Sequence, residues 1–445
     1  MSNEEHGGIR LNFTNNKRNE TLPDFEELLI CSELKGGQKG NPKPLLANAI
    51  TMLRYHPDWS GVLAFNEFSL YPVTKKPAPW EKEAERNWTD NDDSLAADWL
   101  QHAGILVSSK LAHEAVAVVA RENSFHPVKD YLTSIEWDSE PRLDSWLERY
   151  LGAEDTPFVR AVGPRWLVSA VARIFRPGCQ VDHTLLLEGP QGIQKSSAFR
   201  ELAGPEWFTD HISDLGNKDS RIELHGKMIV ELSELAAIRR SEVERVKAFL
   251  TARTDHFRPP YGRSTEDVPR SNIFAASTND QTPFTDATGS RRFWPVRCGT
   301  IDIGALTRDR DQLWAEAYRR YQDGAVWWLD TSELNTLAIA EQEERYDQGV
   351  WDDVILEWTN DPKQRYDADG IPQIPIEPFD STANRVTITD VLIHAIGKPL
   401  ERCTQSDKNL AARCLLHRKW THKQDWSRGP LRGKWFYFRP EPKES

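Results

Sequence analysis

The segment Gly189-Pro190-Gln191-Gly192-Ile193-Gln194-Lys195-Ser196, continued by Ser197, nearly fills the pattern of a phosphate-binding loop. In such a loop the backbone amides wrap phosphate oxygens at the start of a helix, while the lysine meets a phosphate and the hydroxyl after it a magnesium ion. The expected cofactors are ATP and Mg2+. One position departs from the pattern. Gln194 stands where glycine normally lets the backbone pass close to the phosphates, so its side chain must turn outward or the nest of amides distorts. The plainer reading is a Gly-Pro turn with a solvated lysine. The apolar run TLLLE before the loop and the helical pattern after it favour the phosphate loop.

Such an ATPase also needs an acid at the end of a neighbouring strand, to hold magnesium and poise water. The apolar run 228–232 carries Glu231, with Glu234 three residues later. Glu231 would hold the metal with Ser196, and Glu234 would orient the attacking water, although the usual adjacent acidic pair is absent. Alternatively, both acids open a helix at its positive end. Residues 272–279 (NIFAASTN) run from an apolar strand into a polar tip, where Asn279 either senses a terminal phosphate or is an ordinary turn asparagine. Further on, Arg291 and Arg292 precede the strand-like FWPV. Adjacent arginines point different ways, so one would reach a transition-state phosphate in a neighbouring subunit while the other pairs within its own.

Between these motifs, residues 246–270 alternate basic and aromatic side chains: Lys247, Arg253, Phe257, Arg258, Tyr261, Arg263 and Arg270. Cations meet backbone phosphates and rings give bases a stacking face, which is what sequence-tolerant single-strand binding requires. Pro259-Pro260 would let this stretch project as a hairpin; the other reading is a charged loop with Phe257 and Tyr261 tucked into the core. Near the carboxyl end, His417, Arg418, Lys419, Arg428, Arg432 and Lys434 surround Trp420, Trp426, Trp435 and Tyr437. A basic helix and wing can hold duplex phosphates without reading bases. A charged face over an aromatic core is the equal alternative. Trp327 and Trp328 read as core residues.

These side chains need a scaffold of alternating strands and helices. Apolar runs at 184–188, 228–232 and 272–276 alternate with helical patterns, which implies an α/β fold with a mainly parallel sheet. An apolar helix, 158–175, precedes them and stops at Pro177-Gly178. Residues 1–155 read as a mixed, mostly helical region, with helices near 45–55, 94–100 and 110–123 and a strand near 61–68. Residues 156–330 form the core, 331–381 a helix and a linker rich in Pro and Asp, and 382–445 a basic winged-helix-like module. A chain of 445 residues exceeds what one hydrophobic core usually organises, in keeping with several domains. The net charge of −12 argues against a uniformly basic coat. It is unevenly spread: residues 385–445 hold 13 Lys and Arg against 6 Asp and Glu, or +7, leaving −19 elsewhere. No long apolar run or signal-like segment appears, and the five cysteines show neither metal-ligand nor disulfide-framework spacing, so a cytoplasmic protein without a membrane partner is expected.

In these motifs the chain resembles the virulence-associated protein E family, whose phosphate-loop domain is similar to superfamily three helicases of phages, plasmids and mobile islands. The resemblance is carried by HPVKDYL (126–132), GPQGIQKSS (189–197), IVELSEL (229–235), TDHFRPPYGR (254–263), ASTN (276–279), TGSRRFWPV (288–296) and QLWAEA (312–317). It implies an AAA+-like core in an ATPase that assembles as a homo-oligomeric ring, a hexamer being favoured. Such a ring moves along DNA, held as a single strand in a central channel, during replication of a mobile element, beside separate primase or replication proteins. It assigns the phosphate and magnesium roles to Lys195 and Ser196, the acidic motif to Glu231 and Glu234, the sensor to Asn279 and the finger to Arg291 or Arg292. It also makes residues 247–263 the pore-facing hairpin. The competing expectation is a non-catalytic initiation or interference module that binds DNA and uses nucleotide only to hold its oligomer together.

Overall fold

Residues 34–36, 42–212, 219–232, 243–257, 265–279, 292–344, 351–360, 384–426 and 433–440 are described in the computed structural model. Those up to 339 form one unit and those from 340 onward a second. In the first unit, Leu63–Asn66 (β1), Tyr71–Thr74 (β2), Arg86–Asn87 (β3) and Ser124–Phe125 (β4) make a sheet ordered β3-β2-β1-β4. The helix Ser109–Glu122 lies on β1 and β2 and packs against helices Leu46–Tyr55 and Asp90–His102, enclosing Met52, Leu53, Trp59, Trp88, Leu100 and Val116. The three helices and β1 fall where the sequence places them. β2 to β4 lie outside that expectation, because strands of two to four residues carry no usable periodicity.

The chain continues through Thr184–Glu188 (β5), Phe208–Thr209 (β6), Ile229–Leu232 (β7), the antiparallel hairpin Thr254–Phe257 (β8) and Glu266–Pro269 (β9), then Ile273–Thr278 (β10) and Phe293–Arg297 (β11). Apart from the hairpin, these strands form a five-stranded sheet ordered β11-β5-β10-β7-β6, parallel at every pairing. Parallel strands need crossovers that cover the sheet faces, so they read as continuous apolar runs; every residue of β5 is buried. Their carboxyl ends share one edge. One correction concerns β7, which is not the neighbour of β5: β10 runs between them.

Two helices fix this sheet. Pro157–Phe175 starts at Thr156, whose hydroxyl accepts from the Val159 amide, with proline at its first position. Its Trp166 indole donates to the Phe274 carbonyl of β10 at 3.0 Å. Ile303–Gln322 sends the Arg310 guanidinium to the Leu202 and Ala203 carbonyls, and the Trp314 indole to Leu202. These donors satisfy the last carbonyls of helix Lys195–Ala203, where a cation also meets the negative helix end.

The second unit holds helices Asp352–Asn360 and Gln405–His417 and the short helix Ile388–Asp390, which runs on through a π turn, Val391–Ala395. Arg385–Val386 (β12), Thr421–Gln424 (β13) and Trp435–Phe438 (β14) make an antiparallel sheet ordered β12-β14-β13. Thr387 with Asp390 and Thr404 with Asp407 form capping boxes, and Ile355, Leu392, Leu415, Trp420 and Tyr437 fill the core. Helix Gln405–His417 and the β13–β14 pair lie within residues 382–445, whereas Asp352–Asn360 is a second helix in the stretch 331–381, where the sequence implies one helix and a linker. No helix among the described residues is long and apolar enough to cross a membrane. Among the described residues, Cys179, Cys298, Cys403 and Cys414 form no disulfide.

Candidate nucleotide site

The turn after β5 lies at the carboxyl edge of the parallel sheet and opens helix Lys195–Ala203. Gly189 has φ 154°, and a Cβ built there would stand 2.6 Å from Ile193 Cδ1. Gln194 takes φ 72° and ψ 31°, the left-handed conformation that glycine adopts at no steric cost. The loop thus keeps a glycine-type backbone with a glutamine in place.

Lys195 is buried, and its ammonium donates to the Gly189 carbonyl at 2.7 Å, the Pro190 carbonyl at 2.9 Å and Asn279 Oδ1 at 2.9 Å. Burial lowers its pKa, opposed by Cys298 and Glu231. Asn279 directly follows β10, so two motifs 84 residues apart meet through one hydrogen bond. Ser196 Oγ donates to Glu231 Oε1 at 2.8 Å across the width of β10. Glu231 is 1% exposed and its Oε2 is buried without a hydrogen-bond partner. Burial raises its pKa, offset in part by the Ser277 and Ser196 hydroxyls. Lys195, Ser196, Glu231 and Asn279 therefore converge at one sheet edge. Ser197 occupies the next position of the helix.

Arg292 lies elsewhere. It immediately precedes β11, whose Phe293 is level with Thr184, whereas the loop begins past Glu188, level with Arg297. A five-residue strand rising about 3.3 Å per residue puts roughly 16 Å between Arg292 and the loop of the same chain. Glu234, Arg291, Arg258, Tyr261, Arg263, Arg428 and Arg432 lie outside the described residues. Lys247 is on helix Val243–Thr251, and Lys434 leads into β14.

The basic-aromatic stretch divides. β8 and β9 form the base of the expected hairpin, yet Phe257 is buried against His225, and Arg270 is buried in an ion pair with Asp255 at 2.7 Å. Both belong to the core. Trp420 and Tyr437 are buried in the second unit, while Trp426 and Trp435 are exposed. Trp328, read as core from the sequence, is 49% exposed. Sequence reasoning missed Asp210, just past β6, whose charge reaches Glu231, and Cys298, whose thiol burial raises to about 12 beside Lys195. An acid closing a two-residue strand carries no pattern that reveals it.

Residues 132–347 match the family described as the virulence-associated protein E-like domain. This chain carries a virulence-associated protein E-like domain. The family is the one its motifs resemble, and the match spans every residue of the converging cluster. No curated protein matches the chain. A solved structure described as the apo structure of NrS-1 C terminal region (305–718) is 14% identical, with a TM-score of 0.45, covering 85% of this chain and 95% of that one. Another, described as the A form apo structure of NrS-1 C terminal region-CTR, is 14% identical with a TM-score of 0.42, covering 84% and 95%.

Proposed function

We propose that this virulence-associated protein E-like protein is an ATP-dependent motor on DNA, acting as a helicase or translocase in replication of a phage, plasmid or mobile island. One observation carries this reading: Lys195, Ser196, Glu231 and Asn279, from three separate strand ends, meet at the mouth of the turn 189–194. The residues suit a nucleotide with its metal. Gly189 and Gln194 hold the positive-φ backbone that a nest of amides would need, and Ser196 with Glu231, whose Oε2 is an orphaned buried oxygen, would provide a hard oxygen pair for Mg2+. Bound Mg2+ would supply charge neutralisation at the phosphates. Lys195 would bind a phosphate, and Asn279 would orient what lies beyond it.

Arg292 supports a shared site. It stands at the opposite edge of its own sheet, so only a neighbouring subunit could present it to the loop, as a ring arrangement would. The hairpin β8–β9 and the carboxyl-terminal unit are the DNA-facing elements in this reading. The competing reading, a non-catalytic nucleotide-dependent module, leaned on Gln194, and the left-handed backbone at that residue weakens its support.

The test is ATP turnover of the full chain with and without single-stranded DNA. Native protein is expected to hydrolyse ATP faster with DNA, and Lys195→Ala to lose about 100-fold or more in rate, as removal of a charge-stabilising group does. Unchanged turnover in Lys195→Ala would sink the site. Nucleotide-dependent assembly without turnover would favour the competing reading.

A further inference from the structure

At the other edge of the parallel sheet, where β5 and β11 begin, a cleft of about 550 Å3 opens, within the range that small-molecule sites occupy. Arg176, Arg253 and Arg292 line it, and none of the three pairs with a carboxylate among the described residues. Arg253 Nε is held by the Gly178 carbonyl at 2.8 Å, and Arg176 lies 5.8 Å from the Trp327 ring. The single acid in the lining, Asp182, accepts from the Gln180 amide at 2.5 Å. Three guanidiniums against one carboxylate make a strongly anion-seeking wall.

The cleft also holds polar atoms without partners. His183 lines it at 7% exposure, stacked on Trp294 with ring centroids 3.7 Å apart, and its Nε2 has no hydrogen bond. Arg292 Nε is likewise buried and unpartnered. Unmade hydrogen bonds at buried polar atoms cost free energy that a bound ligand would recover. Trp328 stands edge-on to Trp327 at 5.3 Å with about half of its surface exposed, a free indole face beside the arginines. Planar guanidiniums match phosphate oxygens two at a time, and an exposed indole offers a nucleobase a stacking surface.

We propose that this cleft binds one nucleotide unit, with its phosphate on Arg176 and Arg253 and its base against Trp328, separately from the turn 189–197. The same chemistry is found in a free nucleotide and in one residue of a single strand. The experiment uses full-length Lys195→Ala protein, in which the turn is disabled, titrated calorimetrically with deoxyadenosine monophosphate, deoxyadenosine, inorganic phosphate and an octathymidylate strand. The monophosphate or the strand is expected to bind, the one whose affinity the cleft substitutions lower identifying the source, and deoxyadenosine at least tenfold more weakly. Adding Arg176→Gln or Arg253→Gln is expected to weaken that binding about tenfold, the loss of one charge-assisted contact. Trp328→Ala is expected to weaken the monophosphate but not inorganic phosphate. Thermal melting verifies folding, and the surface change Trp328→Tyr, which keeps a ring, is expected to restore binding. Absence of binding in the folded Lys195→Ala protein overturns the proposal. So does affinity that all three cleft substitutions leave unchanged. Neither outcome depends on ATP turnover at the turn.

Discussion

Gln194 carries a backbone conformation that glycine holds freely, and it does so at the point where the loop enters its helix. A non-glycine residue in this conformation costs about 1 kcal/mol. Gln194→Gly is therefore expected to raise stability by up to about 1 kcal/mol in urea unfolding, with ATP affinity kept within a few fold. A large loss of affinity would mean that the glutamine amide itself touches nucleotide. Glu231 poses a different test. Its folded-state pKa is raised, chiefly by burial, so the folded chain holds this proton more tightly than the unfolded chain does. Stability therefore falls as pH climbs from the ordinary carboxylate range through the raised value, and the penalty is complete above it. Glu231→Gln removes that penalty. Its melting temperature is expected to gain on the native protein as pH rises from 4 to 8, while ATP turnover collapses. A gap between the two that does not widen with pH would contradict the assignment.

Among the elements, the hairpin β8–β9 is anchored by a pair that water scarcely reaches. Arg270 and Asp255 are both about 2% exposed, and the Arg270 guanidinium also reaches the Phe249 carbonyl on the helix before the hairpin. Removing one member of such a pair strands a buried charge, at a cost of about 3–5 kcal/mol. Asp255→Ala is expected to lower stability by that amount in urea unfolding. A loss under about 1 kcal/mol would show the pair to be solvated. The elements also show what a sequence can reveal. β5 is legible because a strand buried on both faces must be apolar throughout, and the turn after it because glycine and lysine spacing is tied to phosphate geometry. Arg270 misleads because composition cannot tell a solvated cation from one neutralised inside the core. The order β5-β10-β7 is hidden too, since hydrophobic runs fix that strands exist and leave open which ones become neighbours. The arginine cleft gathers residues 176, 253 and 292, too far apart in sequence for any local motif.

At the scale of the molecule as a whole, the opposite placement of Lys195 and Arg292 on one sheet has a direct test. If each catalytic centre takes its lysine from one subunit and its arginine from the next, Lys195→Ala and Arg292→Ala chains are both inactive alone. Mixed in equal amounts and allowed to exchange, they are expected to recover about a quarter of native turnover, the share of junctions that join two intact halves. No recovery, with exchange verified by labelled subunits, would remove Arg292 from the proposed shared centre.

Lys195 adds a last consequence. An ammonium group has three donors, and here Gly189, Pro190 and Asn279 engage all of them. In the proposed site an incoming phosphate would have to compete with the chain's own oxygens, so the apparent affinity for nucleotide would be the intrinsic one diluted by the fraction of time the lysine is latched. Asn279→Ala is expected to loosen the latch as well as remove the proposed sensor, and so to tighten ATP binding while slowing turnover in calorimetric and turnover measurements.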